Sequence, residues 1–139
     1  MVEILVVADE PTVAAEVVSA LEGTDTEVRV VSSGELVRAE CTEAPPDLVV
    51  TDMQVGSMGG IAICMDLRLE ESGDRLPHIP VLILLDRRAD VFLAKRCGAE
   101  GWLVKPLNSI RLRRAAGVLL DGGTFRDDSL RPLPLPSEV

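Results

Sequence analysis

Aromatic side chains are nearly absent from this chain, whose 139 residues include one tryptophan, two phenylalanines and no tyrosine. Proteins that bind RNA or single-stranded DNA stack bases on aromatic rings, so the composition argues against such partners. The chain also lacks an apolar run of the roughly 20 residues that a membrane-spanning helix needs. Its first three residues carry no basic charge of the kind that opens a signal peptide. These absences predict a cytoplasmic protein that contacts neither nucleic acid nor membrane.

Cysteine is scarce as well. The three cysteines, Cys41, Cys64 and Cys97, are widely separated, which fits neither the ligand spacing of a structural zinc site nor the CxxC pair of a redox enzyme. All three fall in segments with helical patterning. We therefore expect reduced, partly buried thiols.

Basic residues are outnumbered, with 14 Lys and Arg against 23 Asp and Glu and a net charge of −9. The shortage is uneven, because residues 1–52 hold 12 acidic and 2 basic residues (−10), whereas residues 86–114 hold 8 basic and 3 acidic ones (+5). Two interpretations stay open: solvated helix faces, or a basic docking surface for an acidic protein partner. The overall acidity disfavours binding to DNA.

Aliphatic residues, by contrast, are abundant, and the hydrophobic fraction of 47% is ample for the core of one domain. Short apolar runs rich in β-branched residues predict strands buried on both faces, and the segments between them predict helices. The predicted strands cover residues 2–8, 28–31, 48–51, 81–85 and 101–104, and the predicted helices cover residues 11–21, 34–44, 61–70, 89–97 and 109–120. This strict alternation predicts an α/β protein with a doubly wound, five-stranded parallel sheet and five flanking helices.

The composition changes after residue 120. Residues 121–139 are rich in Gly, Asp, Ser and Arg and then carry a Leu-Pro-Leu-Pro run, which predicts a disordered or extended tail. The domain is accordingly predicted over residues 1–120. The remaining segment is too short for an output domain, so a stand-alone protein is expected.

Charged residues stand at the ends of three predicted strands. Asp9 and Asp52 follow the first and third strands, and Lys105 with Pro106 follows the fifth. If the first and third strands are neighbours, both carboxylates meet at the carboxyl edge of the sheet, where the winding reverses and ligands bind. Two carboxylates held that close share a cation or a proton.

The order of these motifs resembles the receiver domain of two-component response regulators, the CheY-like family. The matching segments are Ala8-Asp9-Glu10-Pro11, the run 47–52 with the later Met58-Gly59-Gly60, and the run 97–106. The resemblance extends over residues 1 to 120, and it implies a flavodoxin-like sheet of strand order 2-1-3-4-5.

The resemblance also implies a role for each charged residue. Asp52 would be the phosphoacceptor, a carboxylate that takes a phosphoryl group from a sensor histidine kinase. Asp9, Asp52 and the main-chain carbonyl of Gln54 would hold Mg²⁺. Lys105 would ion-pair with the phosphoryl group, and Pro106 would follow a cis peptide bond. The chain would then be regulatory rather than an enzyme, catalysing at most its own phosphoryl transfer and dephosphorylation.

The family signals by protein contacts through its fourth helix, fifth strand and fifth helix, and homodimers through the same face are common in it. The resemblance therefore implies a downstream protein partner and a homodimer on that face. The identity of the kinase and of the downstream partner is not readable from the sequence.

Two departures from the family pattern bear on the metal and on the switch. Ala8 replaces the first of two consecutive acidic residues, and loss of such an outer contact typically costs about 10- to 100-fold in metal affinity. Glu10 is a substitute ligand if the turn is shifted. Leu85 aligns with the Ser or Thr that contacts the phosphoryl group in the family, with Leu84 and Asp86 as alternatives, and none of the three has a hydroxyl. Trp102 takes the place of the partner aromatic of the switch, and its rotation into the core is expected to be hindered.

These departures support a second hypothesis, a receiver-like interaction module that works without phosphorylation. A third class, a small flavin- or nucleotide-binding protein, is disfavoured because no glycine-rich phosphate loop follows the first strand. The Asp9, Asp52 and Lys105 set favours the phosphorylated receiver as the first hypothesis.

Overall fold

The structure of the protein, a computed structural model, describes residues 1–56 and 58–127. Strands and helices alternate along these residues. The elements are β1 (Val2–Val7), α1 (Pro11–Leu21), β2 (Thr26–Val31), α2 (Val37–Glu43), β3 (Leu48–Asp52), α3 (Gly60–Ser72), β4 (Val81–Leu85), α4 (Val91–Arg96), β5 (Gly101–Val104), α5 (Ser109–Leu120) and β6 (Phe125–Arg126). The five predicted βα units are confirmed. No helix in the described ranges is both long and apolar enough to cross a membrane.

All strands of the sheet pair in parallel, in the order β2-β1-β3-β4-β5-β6. The predicted order 2-1-3-4-5 is thus confirmed and extended by one strand. The winding reverses between β1 and β3, where Val7 lies opposite Thr51. Asp52 in turn lies opposite Leu84. The carboxyl ends of β1, β3 and β4 therefore meet at one edge of the sheet.

The core lies in two layers, one on each face of the sheet. Leu5 and Val7 of β1 join the layer under α2, α3 and α4, whereas Ile4 and Val6 join the layer under α1 and α5. Every residue of β3 and β4 is buried, because both faces of a central parallel strand are covered by helices. The three cysteines are free and buried, as the sequence predicts, and burial raises the pKa of the Cys41 thiol to about 11.

The residues at the starts of α1 and α5 are of the types that favour the start of a helix. Pro11 occupies the first turn of α1, where its missing N–H costs nothing. The N-cap of α5 is Asn108, a residue type that caps helices well. Its Oδ1 accepts hydrogen bonds from the N–H groups of Ile110 (2.9 Å) and Arg111 (3.2 Å).

A short strap, residues 125–127, follows α5 and lies along β5. Phe125 and Arg126 form β6 opposite Gly101 and Trp102. The Asp127 carboxylate accepts hydrogen bonds from the Val104 N–H (2.8 Å) and from Arg111 Nη2 (2.7 Å). The sequence predicts no regular structure from residue 121 onward, so this strand is an addition to the predicted fold. Residues 128–139 of the predicted tail lie outside the described residues.

Candidate functional site

Asp52 is the last residue of β3, and its side chain is almost fully buried at 3% exposure. The Asp52 Oδ1 accepts a hydrogen bond from Lys105 Nζ at 2.7 Å. Lys105 directly follows β5, so its long side chain reaches across the end of β4 to the carboxylate. The structure therefore brings together the acidic and basic residues that the sequence singled out on the third and fifth strands.

A second carboxylate shares the same ammonium group. Lys105 Nζ lies 2.9 Å from Asp86 Oδ1, and Asp86 is the first residue after β4. Burial by itself would lower the pKa of Lys105, but hydrogen bonds and charge attraction from Asp52 and Asp86 outweigh it and raise the pKa above its ordinary value. Lys105 is therefore held in its protonated, positively charged form between two carboxylates.

Asp9 lies two residues beyond the end of β1 and contacts the loop after β3. The Asp9 Oδ2 accepts a hydrogen bond from the Gly56 N–H at 2.8 Å. Gly56 has φ +47, a left-handed conformation that glycine adopts without strain. The bond thus joins the ends of two neighbouring strands, and it holds Asp9 on the same edge of the sheet as Asp52.

Close packing fixes the position of the Asp52 backbone. α3 begins at Gly60, where an added Cβ would lie 2.8 Å from the Asp52 carbonyl oxygen. Such an approach is shorter than real Cβ contacts allow. The Gly60 N–H also donates to the Met53 carbonyl at 3.1 Å. Glycine is therefore needed for α3 to start this near the end of β3.

A family model described as the response regulator receiver domain matches residues 4–116 of the chain. The chain belongs to the response regulator receiver domain family. Its α/β fold, parallel sheet order and helices are those that the resemblance implied.

Among curated relatives, RegX3 of Mycobacterium tuberculosis, a sensory transduction protein, is 30% identical over 132 residues, which are 93% of this chain and 55% of RegX3. MtrA of Mycolicibacterium smegmatis, a DNA-binding response regulator, is 30% identical over 105 residues, 74% of this chain and 43% of MtrA. The receiver domain thus spans about half the length of these relatives.

Solved structures give the same family. The signal receiver domain of a signal transduction histidine kinase from Syntrophus aciditrophicus matches with a TM-score of 0.77 at 28% identity, and the match covers 100% of both chains. The chemotaxis response regulator CheY4 of Vibrio cholerae matches with a TM-score of 0.74 at 25% identity, covering 84% of this chain and 97% of CheY4.

The residues at which the sequence resemblance implies departures from the family pattern lie close to the site. Ala8 is buried at 3% exposure, and its methyl group packs in the core layer under α1. Leu85 is fully buried and offers no polar group. The polar side chain that reaches Lys105 from this strand end is Asp86, which the sequence left as an alternative. The signal for it was its place as the first polar residue after a buried strand.

The remaining predicted residues lie at the edge of the site. Glu10 precedes α1 and is exposed, and Gln54 is exposed in the loop after β3. Within the described ranges, the Glu10 side chain makes no hydrogen bond or ion pair. Trp102 is buried at 3% exposure, and the Arg126 guanidinium of the strap lies over its ring at 5.9 Å. The Lys105–Pro106 peptide bond is cis, as expected.

Receiver domains generally bind Mg²⁺, and the oxygen donors here are of the kind that Mg²⁺ prefers. Asp9 Oδ2 and Asp52 Oδ1 accept hydrogen bonds from the protein. Among the described residues, nothing donates to the other oxygen of either carboxylate. No cluster of three or more His, Cys, Asp or Glu side chains fit to hold a metal occurs in those residues. The oxygens of Asp9 and Asp52 that accept no hydrogen bond there are of the kind that suits an ion which keeps several waters.

Proposed function

We propose that this receiver domain accepts a phosphoryl group on Asp52 from a sensor histidine kinase and signals by contacts with a downstream protein. The observation that carries the proposal is the 2.7 Å contact of Lys105 Nζ with the buried Asp52 carboxylate at the switch point of the sheet. Phosphoryl transfer depends mainly on positioning and charge neutralisation. The buried Asp52 carboxylate supplies the positioning, and the protonated Lys105 supplies the charge neutralisation.

The phosphoryl group comes from a kinase histidine, and Asp52 and Lys105 are the groups of this chain that act in the transfer. An Asp52 oxygen attacks phosphorus, the P–N bond to the kinase histidine breaks, and a new P–O bond makes the aspartyl phosphate. The histidine nitrogen keeps the electron pair of the broken bond. Lys105 compensates the charge of the transferred group, and its three donors allow one contact to Asp52 and others to phosphoryl oxygens. Attack by water later releases phosphate and restores the carboxylate.

Asp9, Asp52 and the Gln54 carbonyl would hold Mg²⁺, which supplies charge neutralisation at the phosphoryl group when it is bound. Ala8 removes one acidic contact of the outer shell. We therefore expect Mg²⁺ binding about 10- to 100-fold weaker than in a receiver domain with both acidic residues.

The kinase and the downstream protein are part of the same proposal. Family membership supports both, together with a regulatory rather than an enzymatic role. The buried free thiols fit a reducing compartment such as the cytoplasm. A homodimer through α4, β5 and α5 stays a prediction. β6 lies along the edge of β5. Such a dimer therefore either packs against residues 125–127 or requires these residues to detach from β5 first.

The decisive experiment is a titration with Mg²⁺ followed by beryllofluoride, which mimics an aspartyl phosphate. Trp102 is the sole tryptophan, so its fluorescence reports on β5 next to Lys105. The wild type is expected to show a saturable change that Asp52→Asn abolishes. A wild type that gives no response, together with no Mg²⁺ binding by calorimetry, would overturn phosphorylation at Asp52 and leave a phosphorylation-independent interaction module.

A further inference from the structure

The cation that a phosphoryl group on Asp52 needs is already engaged by a second carboxylate. Lys105 Nζ lies 2.7 Å from Asp52 Oδ1 and 2.9 Å from Asp86 Oδ1. The two carboxylate oxygens are therefore at most 5.6 Å apart, the sum of those distances. Asp86 is the more open of the two, with a side chain 36% exposed against 3% for Asp52.

The register of the sheet places Asp86 and Lys105 together. Leu85 pairs with Val104, and the Lys105 N–H donates to the Leu85 carbonyl at 2.9 Å. The next residues along the two parallel strands are Asp86 and Lys105, which leave the sheet side by side. The contact between Asp86 and Lys105 is thus a consequence of the pairing of β4 with β5.

Within the described residues, no cation besides Lys105 contacts Asp86. Its neighbour Arg87 pairs with Asp90, and Arg88 makes no ion pair within the part of the chain that the structure describes. Lys105 is the one cation within that part that contacts Asp86. If Lys105 turns to a phosphoryl group, the Asp86 carboxylate loses its partner while the nearby Asp52 carboxylate is replaced by an aspartyl phosphate, which carries one further negative charge. Both effects oppose the phosphorylated state.

We propose that Asp86 is an internal competitor of the phosphoryl group, which holds Lys105 in the unphosphorylated protein and weakens phosphorylation of Asp52. The proposal rests on the proposed function and adds a regulatory residue to the same site. Where the resemblance expects a hydroxyl that supports the phosphoryl group, the strand end here supplies a carboxylate that opposes it. The consequence is a lower affinity for phosphoryl mimics.

The experiment compares the affinity for beryllofluoride, in saturating Mg²⁺, of the wild type and of variants at position 86. Asp86→Asn keeps the shape and removes the charge, and Asp86→Thr removes the charge and adds a hydroxyl. Asp25→Asn is the matched control, because Asp25 precedes β2 at the amino end of the sheet and its change alters the net charge equally. Isothermal calorimetry measures binding, and thermal unfolding verifies that each variant is folded.

Asp86→Asn and Asp86→Thr are expected to bind beryllofluoride about 2- to 5-fold more tightly than the wild type, as suits the loss of one partly exposed charge contact. Asp25→Asn is expected to match the wild type, and Asp52→Asn added to either variant is expected to abolish binding. The proposal would also be supported if the wild type did not bind beryllofluoride while the variants at position 86 did, provided that their binding required Asp52.

Equal or weaker binding by both variants at position 86, with a wild type that binds, would overturn the role of Asp86 and leave the proposed function intact. Absence of Asp52-dependent binding in the wild type and in every variant would overturn the proposed function, and the role of Asp86 with it.

Discussion

At the scale of single residues, Lys105 links the strand ends that form the site. Its ammonium group contacts the carboxylates of Asp52 and Asp86, and its pKa is raised by both. Lys105→Met is expected to lower the free energy of unfolding by about 1–3 kcal/mol, because the buried Asp52 carboxylate loses its charged donor. Denaturation in guanidinium chloride measures the change.

The control for this prediction is Lys105→Arg, which keeps the charge and should recover most of the stability. Adding Asp86→Asn to Lys105→Met should also recover part of the loss, because one of the two unpaired carboxylates is then gone. A Lys105→Met variant as stable as the wild type would show that Asp52 takes up a proton or water at no cost.

The residues show where sequence reasoning was sufficient and where it was not. Asp52 and Lys105 were identified because each directly follows a buried apolar run. The contact of Asp86 with Lys105 depends on the register of β4 against β5, which a single sequence does not specify. Asp127 was missed altogether, because its role depends on an N–H and a guanidinium that folding brings together.

At the scale of secondary-structure elements, α3 and α5 contain glycines with opposite surroundings. A Cβ on Gly60 would meet the Asp52 carbonyl at 2.8 Å, whereas a Cβ on Gly117 would meet nothing within 4 Å. Gly60→Ala is expected to lower the free energy of unfolding by about 1–3 kcal/mol through overpacking. Gly117→Ala is expected to raise it by about 0.5–1 kcal/mol, because alanine is the better helix former.

Thermal and chemical unfolding of the two variants measures whether each substitution lowers or raises the free energy of unfolding. Gly117→Ala is the internal control for the method. Gly60→Ala should in addition disturb the Mg²⁺ response of Trp102, because α3 and the end of β3 are forced apart. Equal stability of the two variants would contradict the close approach of α3 to Asp52.

The strap is the second element with a testable contribution. The Asp127 side chain is 1% exposed and accepts from the Val104 N–H and from Arg111. Asp127→Ala is expected to lower the free energy of unfolding by about 1–3 kcal/mol, because a buried donor and a cation lose their acceptor. Amide hydrogen exchange at Val104 should become faster than the loss of overall stability explains. Exchange of the amides of β1 should change only as much as the loss of overall stability requires. Unchanged protection at Val104 would mean that the strap does not persist in solution.

The elements also show which patterns in the sequence are informative. The five βα units were predicted because runs of β-branched residues and helical periodicity repeat along the chain. β6 has two residues, too few for any periodicity, and it is a strand only because the edge of β5 offers unpaired backbone groups. α4 starts later than predicted because residues 88–90 form a 3₁₀ turn first.

At the scale of the whole molecule, the charge imbalance of the sequence becomes an asymmetry of the fold. The acidic residues 1–52 form β1, β2, β3, α1 and α2, and the basic residues 86–114 form α4, β5 and the first half of α5. Arg113 and Arg114 are exposed, and they make no ion pair with any other described residue. The interpretation as a docking surface for an acidic partner therefore remains open.

A short polyglutamate peptide distinguishes the two interpretations of this charge. Binding is expected at about 0.02 M salt and is expected to vanish at about 0.5 M, because the Debye length shortens from above 10 Å to a few ångströms. Arg113→Gln combined with Arg114→Gln should weaken binding at low salt. Fluorescence anisotropy of a labelled peptide measures it. Equal binding by the wild type and the double variant would favour solvated helix faces.

The strap also reverses the direction in which the chain leaves the domain. A fold that stopped after α5 would release its chain at the amino end of the sheet, near Met1. Because β6 runs parallel to β5, Asp127 instead lies beside Val104, which directly precedes Lys105. A fluorophore tethered just after Asp127 would therefore be kept at high local concentration around the site, whereas one attached at Met1 would sit at the opposite end of the sheet.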